Sequence, residues 1–304
     1  MTVTPAEHEQ REVRVGLVYG FTAYAWWGLF TAVYMKFVLQ RVPVMEVVWH
    51  RVVWCVVLLA VLVAVRRRWG TLLDVWRRRG TFLVLVASAA LIAINWYLFA
   101  RAVASNQLIQ ASLGYFINPL LSVALGFVFL GERLRVAQFI SVVIALVAVT
   151  YLTIAKGAVP GLALGMALSF GLYELLRKVA RVEAITGLLV ETTLLLPFAG
   201  VYLAWLAAEG VGKFVAGGWG ISLVLMVAGP ITAIPLLLFV AAAKRLRLAT
   251  VGFLQYLAPT GQFLLAVLVY HEAFDYRMGI AFAGIWAALA LYSLDAVRVQ
   301  RARR

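Results

Sequence analysis

Residues 110–135 read QASLGYFINPLLSVALGFVFLGERLR. This is an apolar run of helix length with Asn118 and Pro119 near its middle and a charged turn at its end, the pattern of a membrane span with polar groups at mid-depth. The pattern recurs. Residues 250–277 read TVGFLQYLAPTGQFLLAVLVYHEAFDYR, and a displacement of 140 positions lays Pro119 on Pro259, Phe116 on Tyr256 and Glu132 on Glu272. Three matched landmarks in one kind of apolar run point to an internal duplication.

Composition identifies the solvent. The chain is 64% hydrophobic and 13% charged, whereas a soluble domain carries about 25% charged residues. With a mean hydropathy of +0.96, this reads as an integral membrane protein, and 304 residues accommodate about ten spans of roughly 20 residues. The net charge of +14 would suggest nucleic acid in a soluble protein. Here the arginines collect between apolar runs, as cytoplasmic loop charges do, so no nucleic-acid partner is expected. The single Cys55 lies inside an apolar run and the histidines His8, His50 and His271 are scattered; no metal and no cofactor is expected.

Apolar runs at 15–37, 47–65, 81–100, 111–130 and 137–155 give five spans before a break at 156–160, and runs at 161–176, 186–207, 219–242, 250–270 and 279–297 give five more. The chain divides into a cytoplasmic tail (1–14), a first five-helix repeat (15–155), an external linker (156–160), a second five-helix repeat (161–297) and a basic cytoplasmic tail (298–304). With the N-terminus inside, most of the 27 lysines and arginines fall in cytoplasmic segments, among them the arginines of 66–79 and the group Arg177, Lys178, Arg181. An odd number of spans per repeat forces the two halves to insert in opposite directions, which is the architecture of a secondary transporter. The expected fold is therefore all-α, with ten transmembrane helices as two inverted repeats and both termini in the cytoplasm.

Two sets of residues are candidates for the site. Arg51, His50 and Glu191 are ionisable groups within apolar runs, where a lipid-facing charge costs at least about 2.5 kcal/mol. Arg51 suits a substrate carboxylate, while His50 and Glu191 suit proton coupling. The plainer alternatives are an Arg51 that snorkels outward beside a packed His50, and a Glu191 paired with Arg177 or Lys178 in the headgroup region. Asn95, Tyr115, Asn118, Gln255, Tyr256 and Gln262 are neutral polar groups on spans three, four and nine; they either line a cavity or bond helix to helix. Pro119 and Pro259 each remove a helix hydrogen bond and are expected to kink spans four and nine. Glu132 and Glu272 read as caps of the helices that follow them. Gly157, Gly161 and Gly165 read as a close helix contact, and Trp69, Trp76, Trp205 and Trp219 as interfacial anchors.

The segments Trp49-His50-Arg51 with Trp54, SLGYFINPL ending in GERLR, Glu191-Thr192 followed by LLLPFA, and TAIPLLLF followed by GFLQYLAPT resemble the RarD group of EamA-type permeases, within the drug/metabolite transporter superfamily. The likeness covers nearly the whole chain. It implies ten helices, two inverted repeats, cytoplasmic termini and a carrier that exports its cargo, and this group is named for an association with chloramphenicol sensitivity. The expected function is alternating-access transport of a small organic metabolite or drug across the inner membrane, the two halves rocking around a central cavity. The expected partners are that small molecule and membrane lipids, with a homodimer as an option. Uptake or exchange of another metabolite class is the alternative. An intramembrane enzyme is more remote, since no HExxH or paired acidic motif occurs; a channel lacks rings of like residues and a receptor lacks an extramembrane domain.

Overall fold

The computed structural model describes residues 5–302 apart from 67–69, 71, 73–74, 76, 132, 181, 244, 247–249 and 251–253. Trp69, Trp76 and Glu132 lie outside the described residues. All regular structure among the described residues is helical. The helices are α1 (Pro5–Ala25), α2 (Thr31–Leu39), α3 (Val44–Val65), α4 (Arg79–Ala104), α5 (Leu108–Leu130), α6 (Val136–Lys156), α7 (Gly161–Ala180), α8 (Ala184–Ala208), α9 (Lys213–Ala216), α10 (Gly218–Ala243), α11 (Leu257–Leu264) and α12 (Tyr276–Ala302). Two π-helical stretches, Trp26–Phe30 and Leu265–Val269, join α1 to α2 and extend α11.

Among the described residues, seven helices are long and apolar enough to cross a membrane: α3, α4, α5, α6, α8, α10 and α12. The three other expected spans are also helical but differ in form. Span one runs through α1, a π turn and α2. Span six is α7, whose last two turns carry Glu174, Arg177 and Lys178. Span nine is the shorter apolar stretch Leu257–Val269.

Contacts divide the chain into two compact units, and neither is a sequence half. The first comprises residues up to Leu29, Asn106–Gly171 and Leu238 onward; the second comprises Phe30–Ser105 and Leu172–Leu237. Each expected repeat thus supplies α-helices to both units.

In the first unit, α6 and α12 are tied at both ends. Lys156 at the end of α6 pairs with Asp275 just before α12 at 2.9 Å, and Arg135 just before α6 pairs with Asp295 late in α12 at 2.5 Å. The two helices therefore run antiparallel. The Lys156 ammonium and the Met278 N–H beside Asp275 hold its carboxyl below the usual range. α5 ends at Gly131 (φ 65°) and α6 at Gly157 (φ 66°), left-handed residues that close a helix. Gly157 and Gly161 have nothing within 4 Å of an added Cβ. The expected close contact there is absent: Gly157 is a cap, needed for its backbone angle. Tight approaches in this unit lie instead at Gly114, where a Cβ would lie 2.6 Å from the Ala163 carbonyl oxygen, and at Gly28, where one would lie 2.8 Å from the Ala258 carbonyl oxygen.

Glu272 caps a helix, but a distant one. Its two oxygens accept the N–H groups of Leu108 at 2.8 Å and Ile109 at 2.9 Å, the first residues of α5. The expectation that it caps the helix following it in sequence is corrected; the free N–H groups of α5 attract the carboxylate across 164 residues. Glu272→Ala is expected to lower stability by about 1–2 kcal/mol, and Glu272→Gln by less because one acceptor remains. Thermal unfolding of the detergent-solubilised variants checks the order.

Candidate functional site

The second unit holds the ionisable candidates. α3 begins after Pro43, whose extended backbone ends the preceding turn, and places Glu46 in its first turn. Glu46 is buried and its Oε1 accepts the N–H groups of Lys213 at 2.6 Å and Phe214 at 3.1 Å, the start of α9. One turn on, His50 stacks on the Phe214 ring at 4.6 Å between centroids. Both its ring nitrogens are buried without a hydrogen-bond partner among the described residues. His50 is therefore packed rather than wired to another titrating group.

Arg51, the next residue, is 7% exposed. Its Nε donates to Thr232 Oγ1 of α10 at 2.7 Å, and its Cζ lies 4.5 Å from the centroid of the Trp96 ring of α4. A hydroxyl holds one edge of the guanidinium and an aromatic face holds its plane, both favourable to a desolvated arginine. Arg51 does not snorkel to water.

Glu191 is fully buried in α8. Its Oε1 accepts from Ser88 Oγ of α4 at 2.5 Å and its Oε2 from the Tyr173 hydroxyl of α7 at 3.3 Å. Arg177 Nη1 lies 3.7 Å from Oε1, so of the two cations expected near it, Arg177 is the partner. A Cβ at Gly187 would overlap the Arg177 guanidinium; Gly187 is one turn before Glu191 on the same helix face, and its missing side chain is what lets the arginine reach the acid.

These contacts set the two charges at different levels. Arg51 and Glu191 are each the eighth residue of their helix, yet Arg51 meets α4 at Trp96 and Glu191 meets it at Ser88. Eight residues of helix separate those levels by about 12 Å. α3 and α8 therefore enter the unit from opposite ends. Asn95, beside Trp96 on α4, is buried in the same unit.

The remaining candidates belong to the first unit. Tyr115 meets Phe170 edge to face at 6.0 Å. Asn118 is buried, and its Oδ1 lies 3.3 Å from where Gly171 would carry a Cβ. Pro119 sits inside α5, which is continuous from Leu108 to Leu130. On the matching stretch, Gln255 and Tyr256 are in a turn and α11 starts at Leu257, with Pro259 in its first turn. The Pro259 carbonyl accepts from Ser112 Oγ at 2.8 Å, and Tyr256 shares a hydrogen bond with Ser293. The two prolines thus act unequally: the helix lapses before Pro259 and persists through Pro119. Sequence reading passed over Ser88, Tyr173 and Thr232, ordinary span residues until the fold brings a buried charge to each.

Similarity to known proteins agrees with this architecture. A profile of the EamA-like transporter family matches residues 14–154. An uncharacterized transporter of Vibrio cholerae serotype O1 is 43% identical over 304 residues, covering 100% of this chain and 99% of that protein. Protein RarD of Escherichia coli K12 is 42% identical, covering 96% and 98%. Chloramphenicol-sensitive protein RarD of Pseudomonas aeruginosa is 34% identical, covering 86% and 89%. One solved crystal structure superposes with a TM-score of 0.57 at 23% identity, covering 92% of this chain and 97% of the other, which extends the likeness of fold. With its apolar helices and full-length relatives above 40% identity, the chain is a multi-pass membrane protein of the EamA-like transporter family, among its RarD-like members.

Proposed function

We propose that this protein is a secondary active carrier of the inner membrane that moves a small carboxylate-bearing metabolite, such as an amino acid or a related compound, by alternating access. It has ten spans as two inverted repeats, 15–155 and 161–297, with both termini cytoplasmic. Export is the working direction and a proton is the coupling ion. Inversion is supported by the antiparallel course of α6 against α12 and by the opposite entry of α3 and α8. Arg51 recognises the carboxylate and Glu191 exchanges the proton, while Asn95 of the same unit supplies a neutral polar contact to the rest of the molecule.

The observation that carries this reading is a permanently charged arginine, 7% exposed, inside a membrane-length apolar helix. Such a group is costly for a helix that only packs, and it marks ligand pathways in membrane proteins. The test is flux from proteoliposomes loaded with labelled amino acids, small organic acids or amphipathic drugs. A carrier releases at least one class faster than protein-free liposomes, and the released molecule is chemically unchanged. Release at the protein-free rate across all three classes overturns the reading.

A further inference from the structure

The contact between Arg177 and Glu191 is looser than a buried ion pair needs to be. A guanidinium offers five N–H donors in a planar fork and meets a carboxylate side-on at about 2.7–2.9 Å. Here the nearest approach is 3.7 Å, to an oxygen already taken by Ser88. Arg177 Nη2 reaches the Val182 and Glu183 carbonyls only at 3.4 Å each. Nη1 is buried and donates to no group among the described residues. Desolvating two charges is offset only by close, well-bonded geometry, and this pair has neither. It has instead a glycine beneath the arginine, Gly187, where an added Cβ would overlap the guanidinium.

We propose that Arg177 is a second recognition site for the carboxylate of the transported molecule, with Glu191 as its reversible competitor. This rests on the carrier reading and extends it. Glu191 takes one proton, the Arg177–Glu191 pair breaks, and a pair between Arg177 and the substrate carboxylate forms. The net charge of the buried region is unchanged, so no uncompensated charge is left in a low-dielectric site.

The surroundings suit both protonation states. Ser88 Oγ has two acceptors in reach, Glu191 Oε1 at 2.5 Å and the Leu85 carbonyl at 3.1 Å. Turned to Leu85, its oxygen accepts the proton of a neutral Glu191. Among the described residues, the charged and titratable groups facing Glu191 are Arg177 and Tyr173 of α7; α4 presents Ser88, and the buried charge of α3, Arg51, is engaged with Thr232 and Trp96. The sign follows: lower pH neutralises Glu191, releases Arg177 and raises affinity for an anion that stays ionised. Proton and carboxylate bind together and leave together, so export on this cycle runs down the metabolite's own gradient and carries the proton outward with it. Arg51, about 12 Å along α4, is then the other station on the same path.

The test uses the full-length protein in nanodiscs with benzoate, L-phenylalanine and L-glutamate, whose carboxyl groups are ionised at both about pH 5.5 and about pH 7.5. Apparent Kd is read from ligand-induced thermal shifts. At least one probe should bind about tenfold tighter at the lower pH. Glu191→Gln should bind equally well at both, and Arg177→Gln should not bind. A second readout needs no ligand: modification of Arg177 by phenylglyoxal, followed by peptide mass spectrometry, should be faster in Glu191→Gln than in the parent at the higher pH. That readout stands even where Arg177→Gln fails to fold. No binding of any probe, a Glu191→Gln variant with the parental pH dependence, parental binding by Arg177→Gln, or equal labelling in the two proteins overturns the proposal. Proton-linked binding without flux in proteoliposomes would remove the carrier reading and leave this exchange; flux indifferent to Glu191 would do the reverse.

Discussion

Arg51→Ala is expected to lower flux at least tenfold, about 1.4 kcal/mol of lost recognition, while the protein still folds. Both parts follow from the contacts. Thr232 does not depend on the arginine, because its hydroxyl also has the Ala228 carbonyl at 2.8 Å as an acceptor. Trp96 is itself buried and keeps its packing. Neither of these two partners carries a charge that the substitution would strand, so through them the cost to the thermal midpoint is that of the cavity the side chain leaves. Arg51→Lys should recover only part of the flux: an ammonium carries the charge but lacks the planar fork that Thr232 and Trp96 hold in place. Flux in proteoliposomes, measured beside thermal unfolding of the same preparations, separates recognition from folding. Parental flux in a well-folded Arg51→Ala protein would remove Arg51 from the site.

The sequence made Arg51 and Glu191 legible because a charge inside an apolar run of 20 residues is conspicuous. Their partners were not legible. Thr232 is 181 residues from Arg51 and Ser88 is 103 from Glu191, and nothing in a serine or threonine on a span marks it as the one that will meet a charge. Glu272 shows the same limit. Its role as a helix cap could be read from local chemistry, but which helix it caps is decided by tertiary structure. Gly187 was invisible for a related reason: its significance is the space under Arg177, and only coordinates show what would occupy that space. The reverse error occurred at Gly157, where a four-residue spacing suggested a helix contact and a left-handed cap was the actual requirement. The span pattern was read in part: hydrophobic length is a local property, and seven of the ten expected spans are full-length apolar helices among the described residues. It diverges from the structure where α7 ends in three charges and where π turns interrupt helix geometry, neither of which a count of apolar residues registers.

Gly229→Ala is expected to be the most damaging small substitution in the second unit. A Cβ at Gly229 of α10 would overlap the backbone carbonyl of Trp54 in α3 and lie 2.8 Å from its Cβ. The obstacle is main chain, so no side-chain rotation relieves it and the two helices must separate. The cost is about 2–3 kcal/mol, the upper range for inserting one methyl into a closed contact. Gly220→Ala on the same helix is the control: nothing lies within 4 Å of its added Cβ, and alanine there is neutral or stabilising by up to about 1 kcal/mol. Thermal unfolding of the two variants in one detergent gives the comparison, and equal midpoints would mean that α3 and α10 do not meet as described. Function should fall with stability, because the displaced interface is the one that carries the 2.7 Å bond from Arg51 to Thr232. A separation of even 1 Å takes that pair beyond hydrogen-bond range. Flux in Gly229→Ala protein that survives purification should therefore approach that of Arg51→Ala, although the substituted residue touches neither the arginine nor the carboxylate it recognises.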